Sequence, residues 1–171
     1  MTHPKLETQL SDEHLAAIGR VTVAWTELEK ALESIVWLLA PLEQPNAQAV
    51  TTHITARAQL DIVRSLARLA TRDTALVEKL DNHIKFISKK LSVKRNEAVH
   101  SKWFAGKENK PSVLTTRARG TLAISARHMA TKEVDLIAID IHAASVKLLA
   151  IAEEIIEATP SKGRRVPSRR R

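Results

Sequence analysis

Apolar residues recur every three or four positions along three long segments of the chain. These segments carry Ile18, Val21, Trp25, Leu28, Leu32, Ile35 and Leu39; then Val77, Leu80, Ile84, Ile87 and Leu91; then Val134, Ile137, Ile141, Ala144, Leu148, Ile151 and Ile155. Residues three and four apart lie on one face of an α-helix, so each segment is predicted to be an amphipathic helix. Ser11 is a suitable N-cap for the first helix, and Pro41 is a suitable stop.

A weaker apolar stripe predicts one more helix between the first two segments, over residues 46–70. Its members are Ile54, Ala58, Ile62, Leu66 and Leu69. The connection before it, residues 41–45, is short, and short connections make neighbouring helices antiparallel. Taken together, the stripes predict an all-α fold, an up-down four-helix bundle.

Residues 105–130, between the third and fourth predicted helices, interrupt this pattern. They contain Gly106, Pro111 and Gly120, and residues 113–119 are rich in β-branched and alternating side chains. The segment is therefore predicted to be an irregular insertion or a short β-hairpin. It starts just after the third helix, and long connections in compact domains often contribute to function.

The composition is typical of a single soluble domain. The chain has 171 residues, of which 44% are hydrophobic and 27% charged, and it has no cysteine, which excludes disulfides and zinc–thiolate sites. The N-terminal sequence lacks the pattern of a secretory signal, and no apolar run approaches the roughly 20 residues that cross a bilayer. We therefore expect a cytoplasmic protein that does not contact membranes.

The formal net charge of +8 is concentrated at the C-terminus. Six of these charges belong to Lys162, Arg164, Arg165, Arg169, Arg170 and Arg171. Prolines and a glycine in the same stretch predict a basic disordered tail, which could attract RNA phosphates or act only as a solubilising extension. The predicted organisation is an N-terminal extension over residues 1–10, a helical bundle over residues 11–158 and the tail over residues 159–171.

The third predicted helix ends in Arg-Asn-Glu-Ala-Val-His, residues 95–100, which we call the hexad. Asn96 and His100 are four residues apart and share one helix face, whereas Arg95 and His100 lie about 140° apart around an ideal helix. Arg95 and His100 could converge if the helix unwinds near Ser101, or if two copies of the helix meet across a two-fold axis. The alternative is a solvated helix end at which a cation interacts with the helix dipole.

In this helical context the hexad resembles the signature of the HEPN superfamily (higher eukaryote and prokaryote nucleotide-binding domains), which is Arg, a polar residue, a short spacer and His. The resemblance rests on Arg95, Asn96 and His100, on Gly19, Arg20, Trp25, Leu28 and Glu29 in the first helix, and on Trp103. It implies a metal-independent endoribonuclease without cofactors, whose homodimer brings two hexads into one cleft. It also implies that His100 acts as general acid or base, that Arg95 stabilises charge on the phosphate, and that Asn96 orients one of them. The implied products are a 2′,3′-cyclic phosphate and a 5′-hydroxyl.

The resemblance further implies a biological setting and partners. Members of the superfamily are frequently toxins or antiphage effectors, sometimes neutralised by an antitoxin or nucleotidyltransferase, while others only bind nucleotides or proteins. The alternative function is therefore a non-catalytic dimeric adaptor whose basic tail attracts nucleic acid. The candidate RNA-binding residues are Lys94, Lys102, Trp103, Arg164, Arg165, Arg169, Arg170 and Arg171. Trp103 could stack on a base or cover the edge of the core.

A third hypothesis is a metal centre. The spacing Glu97-x-x-His100 is the one used in di-iron carboxylate bundles, and Glu29 or Glu33 of the first helix would have to complete the site. The chain offers one such motif only, and the remaining histidines show no ligand spacing. The sequence therefore favours a site without metal.

Overall fold

The computed structural model describes residues 10–40, 43–119 and 121–159. Over these residues the protein is mostly helical, with a small antiparallel sheet of three strands. The helices are α1 (Asp12–Leu39), α2 (Gln44–Thr51), α3 (Ala56–Ala70), α4 (Thr74–Phe86), α5 (Ser92–His100) and α6 (Thr131–Glu157), and the strands are β1 (Lys102–Ala105), β2 (Pro111–Arg119) and β3 (Thr121–His128). A π turn (Ile87–Leu91) joins α4 to α5. Within the described ranges, no helix is both long enough and apolar enough to span a bilayer.

The three strong apolar stripes correctly predicted helices. The first stripe lies in α1, where Leu28, Leu32 and Ile35 are fully buried. The hydroxyl of Ser11 accepts a hydrogen bond from the backbone N–H of His14 at 3.2 Å, which confirms the predicted N-cap. The predicted stop, Pro41, lies outside the described residues.

The predicted second helix, residues 46–70, is wrong in two respects. It is divided into α2 and α3, because the hydroxyl of Thr52 bonds back to the Gln48 carbonyl at 2.7 Å and Thr55 starts a new helix as its N-cap. Its predicted apolar face is also wrong, since Leu69 is 84% exposed. The buried positions of α3 are Gln59, Leu60, Val63 and Ala67.

The described residues form two compact units. Counting only described residues, unit 1 lies within 10–29 and 85–145, and unit 2 lies within 30–84 and 146–159. In unit 2, Asp81 of α4 binds Arg64 and Arg68 of α3 at 2.8 and 2.7 Å. These contacts across the short connection between α3 and α4 make the two helices an antiparallel pair.

In unit 1, α1 and α6 run in the same direction. Their contacts are His14 with Thr131, Arg20 with Asp135, and Glu27 with His142. Residue numbers therefore rise together along the two helices, whereas an up-down bundle of four helices would oppose its first and last members. The predicted up-down order is therefore wrong for this pair of helices.

The sheet lies between α5 and α6 and belongs to unit 1. The predicted hairpin is confirmed as β2 and β3, which pair from Ser112↔His128 to Arg119↔Thr121, while Gly120 itself is outside the described residues. The edge strand β1 was not predicted; it pairs with β2 at Trp103↔Val113. Its link to β2 is tight, since a Cβ atom on Gly106 would collide with the Ser112 hydroxyl.

Candidate functional site

The hexad occupies the last turn and a half of α5. The π turn precedes it, and the backbone N–H of Ser92 donates to the Ile87 carbonyl five residues earlier. The helix ends at His100, because Ser101 has an extended backbone with φ −80° and ψ 157°. Of the two ways in which Arg95 and His100 were expected to converge, the end of the helix near Ser101 is therefore present.

The side chains of Arg95, Asn96 and His100 meet within one chain. Nη1 of Arg95 donates to Oδ1 of Asn96 at 3.1 Å and also to Nε2 of His100. A guanidinium has no lone pair to accept with, so Nε2 of His100 is the acceptor in this contact. Arg95 is half-buried, while Asn96 and His100 are exposed. A dimer is thus not needed to bring these residues together, and the two-hexad cleft implied by the resemblance stays a prediction.

The guanidinium of Arg95 lies over the ring of Trp25 in α1. The Cζ atom of Arg95 lies 5.4 Å from the centroid of the Trp25 ring, within the range of a cation–π interaction. Trp25 is itself 7% exposed and donates from Nε1 to Glu29 at 2.9 Å. Nε of Arg95 is buried without a hydrogen-bond partner among the described residues.

Trp103 fixes the end of α5. Its indole Nε1 donates to the Ala98 carbonyl at 2.9 Å, and its ring meets His14 edge-on, with 4.5 Å between centroids. His14 is fully buried and its Nδ1 lies 3.0 Å from the Thr131 hydroxyl. Burial lowers the pKa of His14 and nearby His128 lowers it further, against smaller opposing effects of nearby carboxylates. These contacts support the packing interpretation of Trp103 over base stacking.

Glu97, the acidic residue of the hexad, is bound by Arg127 of β3. The guanidinium of Arg127 donates from Nε and Nη2 to the two carboxylate oxygens of Glu97 at 2.8 and 3.0 Å, and Nη1 binds Glu133 at 2.8 Å. These hydrogen bonds raise the pKa of Arg127. This bidentate contact between Arg127 and Glu97, which we call the clamp, joins the inserted sheet to the hexad. Nothing in the sequence marked Arg127 for this role, because the pairing depends on the register of β3.

The carboxylates that a di-iron site would require have other partners in this structure. Glu97 is engaged by Arg127, Glu29 accepts from Trp25, and Glu33 binds Lys30 at 2.8 Å. In the part of the chain that the structure describes, no three His, Asp or Glu side chains are grouped so that they could hold a metal ion.

The remaining candidate residues flank the hexad or lie beyond the described chain. Lys94 is exposed, with Nζ 3.4 Å from Asp140, and Lys102 is exposed at the start of β1. The hydroxyl of Ser101 lies 3.4 Å from that of Thr115 on β2, which links the sheet to the residue after His100. The tail candidates Arg164, Arg165, Arg169, Arg170 and Arg171 lie outside the described residues. Comparisons with known protein families, with curated proteins and with solved structures found no match to this chain.

Proposed function

We propose that this protein is an HEPN-like, metal-independent endoribonuclease whose catalytic residues are Arg95, Asn96 and His100. The proposal includes a helical core of HEPN type and a cytoplasmic role as a toxin or antiphage effector. The observation that supports it is the contact between Arg95 and His100 at an accessible helix end. A cation that can bind phosphate and an imidazole nitrogen that can accept a proton are thereby held side by side, which is the pair of groups that RNA transesterification uses.

The chemistry follows from that pair. Nε2 of His100 accepts the proton of an RNA 2′-hydroxyl, the 2′-oxygen forms a bond to phosphorus, and the bond from phosphorus to the 5′-oxygen breaks. The leaving oxygen takes up a proton from the imidazolium so formed or from solvent. The incoming hydroxyl replaces Nη1 of Arg95 at Nε2, so the guanidinium is released to bind the phosphate while Asn96 keeps it oriented. The products are a 2′,3′-cyclic phosphate and a 5′-hydroxyl.

The charge of the inserted sheet supports a polyanionic substrate. Residues 109–132 contain no acidic residue and carry five basic residues, of which Lys110 pairs with Glu108 and Arg127 pairs with Glu97 and Glu133. The other three are Arg117, Arg119 and Lys132. The sheet contacts the hexad through the Arg127–Glu97 clamp and through Ser101. Lys94 and Lys102 add exposed cations on either side of the hexad in the sequence. RNA backbone binding at such a surface depends on neutralising phosphates and should weaken with salt.

The test is cleavage of end-labelled RNA in EDTA by the parent protein and by Arg95→Ala and His100→Ala. Loss of a general acid–base group, or of a donor that stabilises transition-state charge, costs about 100-fold or more, so His100→Ala and Arg95→Ala should each be at least that much slower. Matched controls are Arg57→Ala and His53→Ala, which change exposed residues of unit 2 and should cleave like the parent. Cleavage that is equally fast in both hexad variants, or that EDTA abolishes in the parent, would contradict the proposal.

A second candidate, the non-catalytic adaptor, is favoured by one observation. The lone pair of His100 Nε2 is already occupied by Arg95, as in a purely structural contact. An adaptor should bind RNA without cutting it, and an antitoxin or nucleotidyltransferase partner remains a prediction for either function. Removing residues 160–171 tests the tail, because a chain without it should bind RNA with a shallower salt dependence if the tail contacts phosphates. RNA binding by the parent with no cleavage of any substrate would select the adaptor.

A further inference from the structure

A groove runs along the seam between α1 and α6 in unit 1. Its volume is about 560 Å³, and the small residues Ala16, Gly19, Ala24 and Ala138 contribute to its lining. Two larger apolar residues of the lining, Val23 and Ile139, are 60% and 61% exposed. Exposed branched side chains beside a channel of small residues are typical of a surface that packs against another helix pair.

Basic and acidic residues alternate around this groove. At one end Arg20 of α1 pairs with Asp135 of α6 at 2.7 Å, and at the other end Glu27 of α1 lies 3.3 Å from His142 of α6. Along α1 the basic residue comes first and the acidic residue follows, while along α6 the order is reversed. Both pairs of positions are seven residues apart, about 10 Å along a helix. The four groups therefore form a rectangle whose neighbouring corners have opposite character.

Such a rectangle is complementary to a copy of itself, and we propose that this groove binds a second copy of the same chain around a two-fold axis. The axis lies across the two helices. It crosses α1 midway between Arg20 and Glu27, close to Val23, and it crosses α6 midway between Asp135 and His142, close to Ile139. Arg20 then faces Glu27 of the partner subunit, and Asp135 faces His142 of the partner subunit. The partner's helices run antiparallel to α1 and α6, which opposes their dipoles.

This interface is distinct from the cleft dimer that the hexad resemblance implies. Val23 and Trp25 are two residues apart on α1 and so point about 200° apart around the helix. Trp25 contacts Arg95, while Val23 lines the groove. A dimer formed through the groove leaves both hexads uncovered and does not depend on whether they are catalytic.

Gly19 is a position from which a larger side chain can be introduced at the groove. A Cβ atom at Gly19 would have no atom of its own chain within 4 Å, so the side chain of Gly19→Phe starts in open space at the groove lining. The matched pair Val23→Asp and Val50→Asp places a carboxylate in the groove or at a valine of unit 2 that is 55% exposed. Sedimentation velocity over a range of concentrations should show a dimer for the parent and for Val50→Asp. Gly19→Phe and Val23→Asp should dimerise at least tenfold more weakly. A parent that is monomeric up to its solubility limit, or variants that dimerise as well as the parent, would overturn the proposal.

Charge reversal tests the antiparallel register. One double variant combines Arg20→Glu with Asp135→Arg, and the other combines Glu27→Arg with His142→Glu. Each keeps an ion pair within its own chain but places residues 20 and 27 of like charge opposite one another across the axis, so neither should dimerise alone. Mixed together, the two variants present opposite charges at three corners and His142 opposite Asp135 at the fourth, and they should form a heterodimer. Homodimers of both variants, or no association in the mixture, would rule out this register.

Discussion

Replacing Trp103 with phenylalanine removes one hydrogen bond from the end of α5 and keeps an aromatic ring beside His14. The lost bond joins the indole Nε1 to the Ala98 carbonyl at 2.9 Å. Carbonyls in the last turn of a helix have no helical donor, so this one depends on the indole. A hydrogen bond contributes about 0.5–1.5 kcal/mol, and the smaller ring leaves unfilled space. We expect Trp103→Phe to lower the free energy of unfolding by about 1–3 kcal/mol.

Urea unfolding followed by circular dichroism measures this loss. Trp37→Phe is the matched control, because Trp37 also donates from Nε1, to the Thr51 hydroxyl at 2.9 Å in unit 2. Both variants should be destabilised, but only Trp103→Phe should also slow RNA cleavage under conditions where it is folded, since only Trp103 fixes the turn that carries His100. Parental stability of Trp103→Phe would refute the argument. Parental stability of Trp103→Leu together with lost RNA affinity would instead support base stacking by Trp103.

Two further predictions concern charged groups of unit 1. A double-mutant cycle between Arg127→Gln and Glu97→Gln should give a coupling of about 1 kcal/mol by urea unfolding, because the bidentate pair is only partly exposed; a coupling near zero would contradict the clamp. His14 has a lowered pKa in the fold, so the unfolded chain takes up its proton first as the pH falls. Its contribution to stability is full above its unfolded pKa of about 6.5 and is lost as the pH falls from there towards the lower folded value. His14→Asn should therefore show a shallower loss of stability below pH 6.5 than the parent, and equal slopes would argue against this assignment.

Strong periodicity predicted the long helices, and its limits explain what was missed. Leu28 and Ile141 are fully buried. In their helices only one face carries a continuous row of large apolar residues, so the sequence determines which face packs inward. The stripe ending at Leu69 competed with a second one through Leu60 and Val63, and α3 buries the second. The spacing of apolar residues alone could not decide between two stripes displaced by one residue, about 100° around the helix.

The candidate site was predictable by residue type but not by geometry. The hexad was found because Arg95, Asn96 and His100 lie close together in the sequence. Their convergence depends on where α5 ends, and that end is set by contacts between residues distant in sequence. Ala98 binds Trp103, and Trp103 packs on His14, which is far away in the chain. No local spacing rule contains such contacts.

The proposed cleavage and the proposed dimer use different surfaces of this chain. If cleavage required two hexads in one cleft, each hexad would lack something that its own chain does not provide. Arg95 already reaches His100 within one chain, with Trp25 beneath it and Asn96 beside it. What a single hexad lacks is a second proton-transfer group for the leaving oxygen, and sequential use of the same imidazole or a proton from solvent can supply it. A dimer through the α1–α6 groove is compatible with the proposed cleavage by single hexads. Its contacts lie on the face of α1 opposite Trp25, so each hexad stays accessible to RNA.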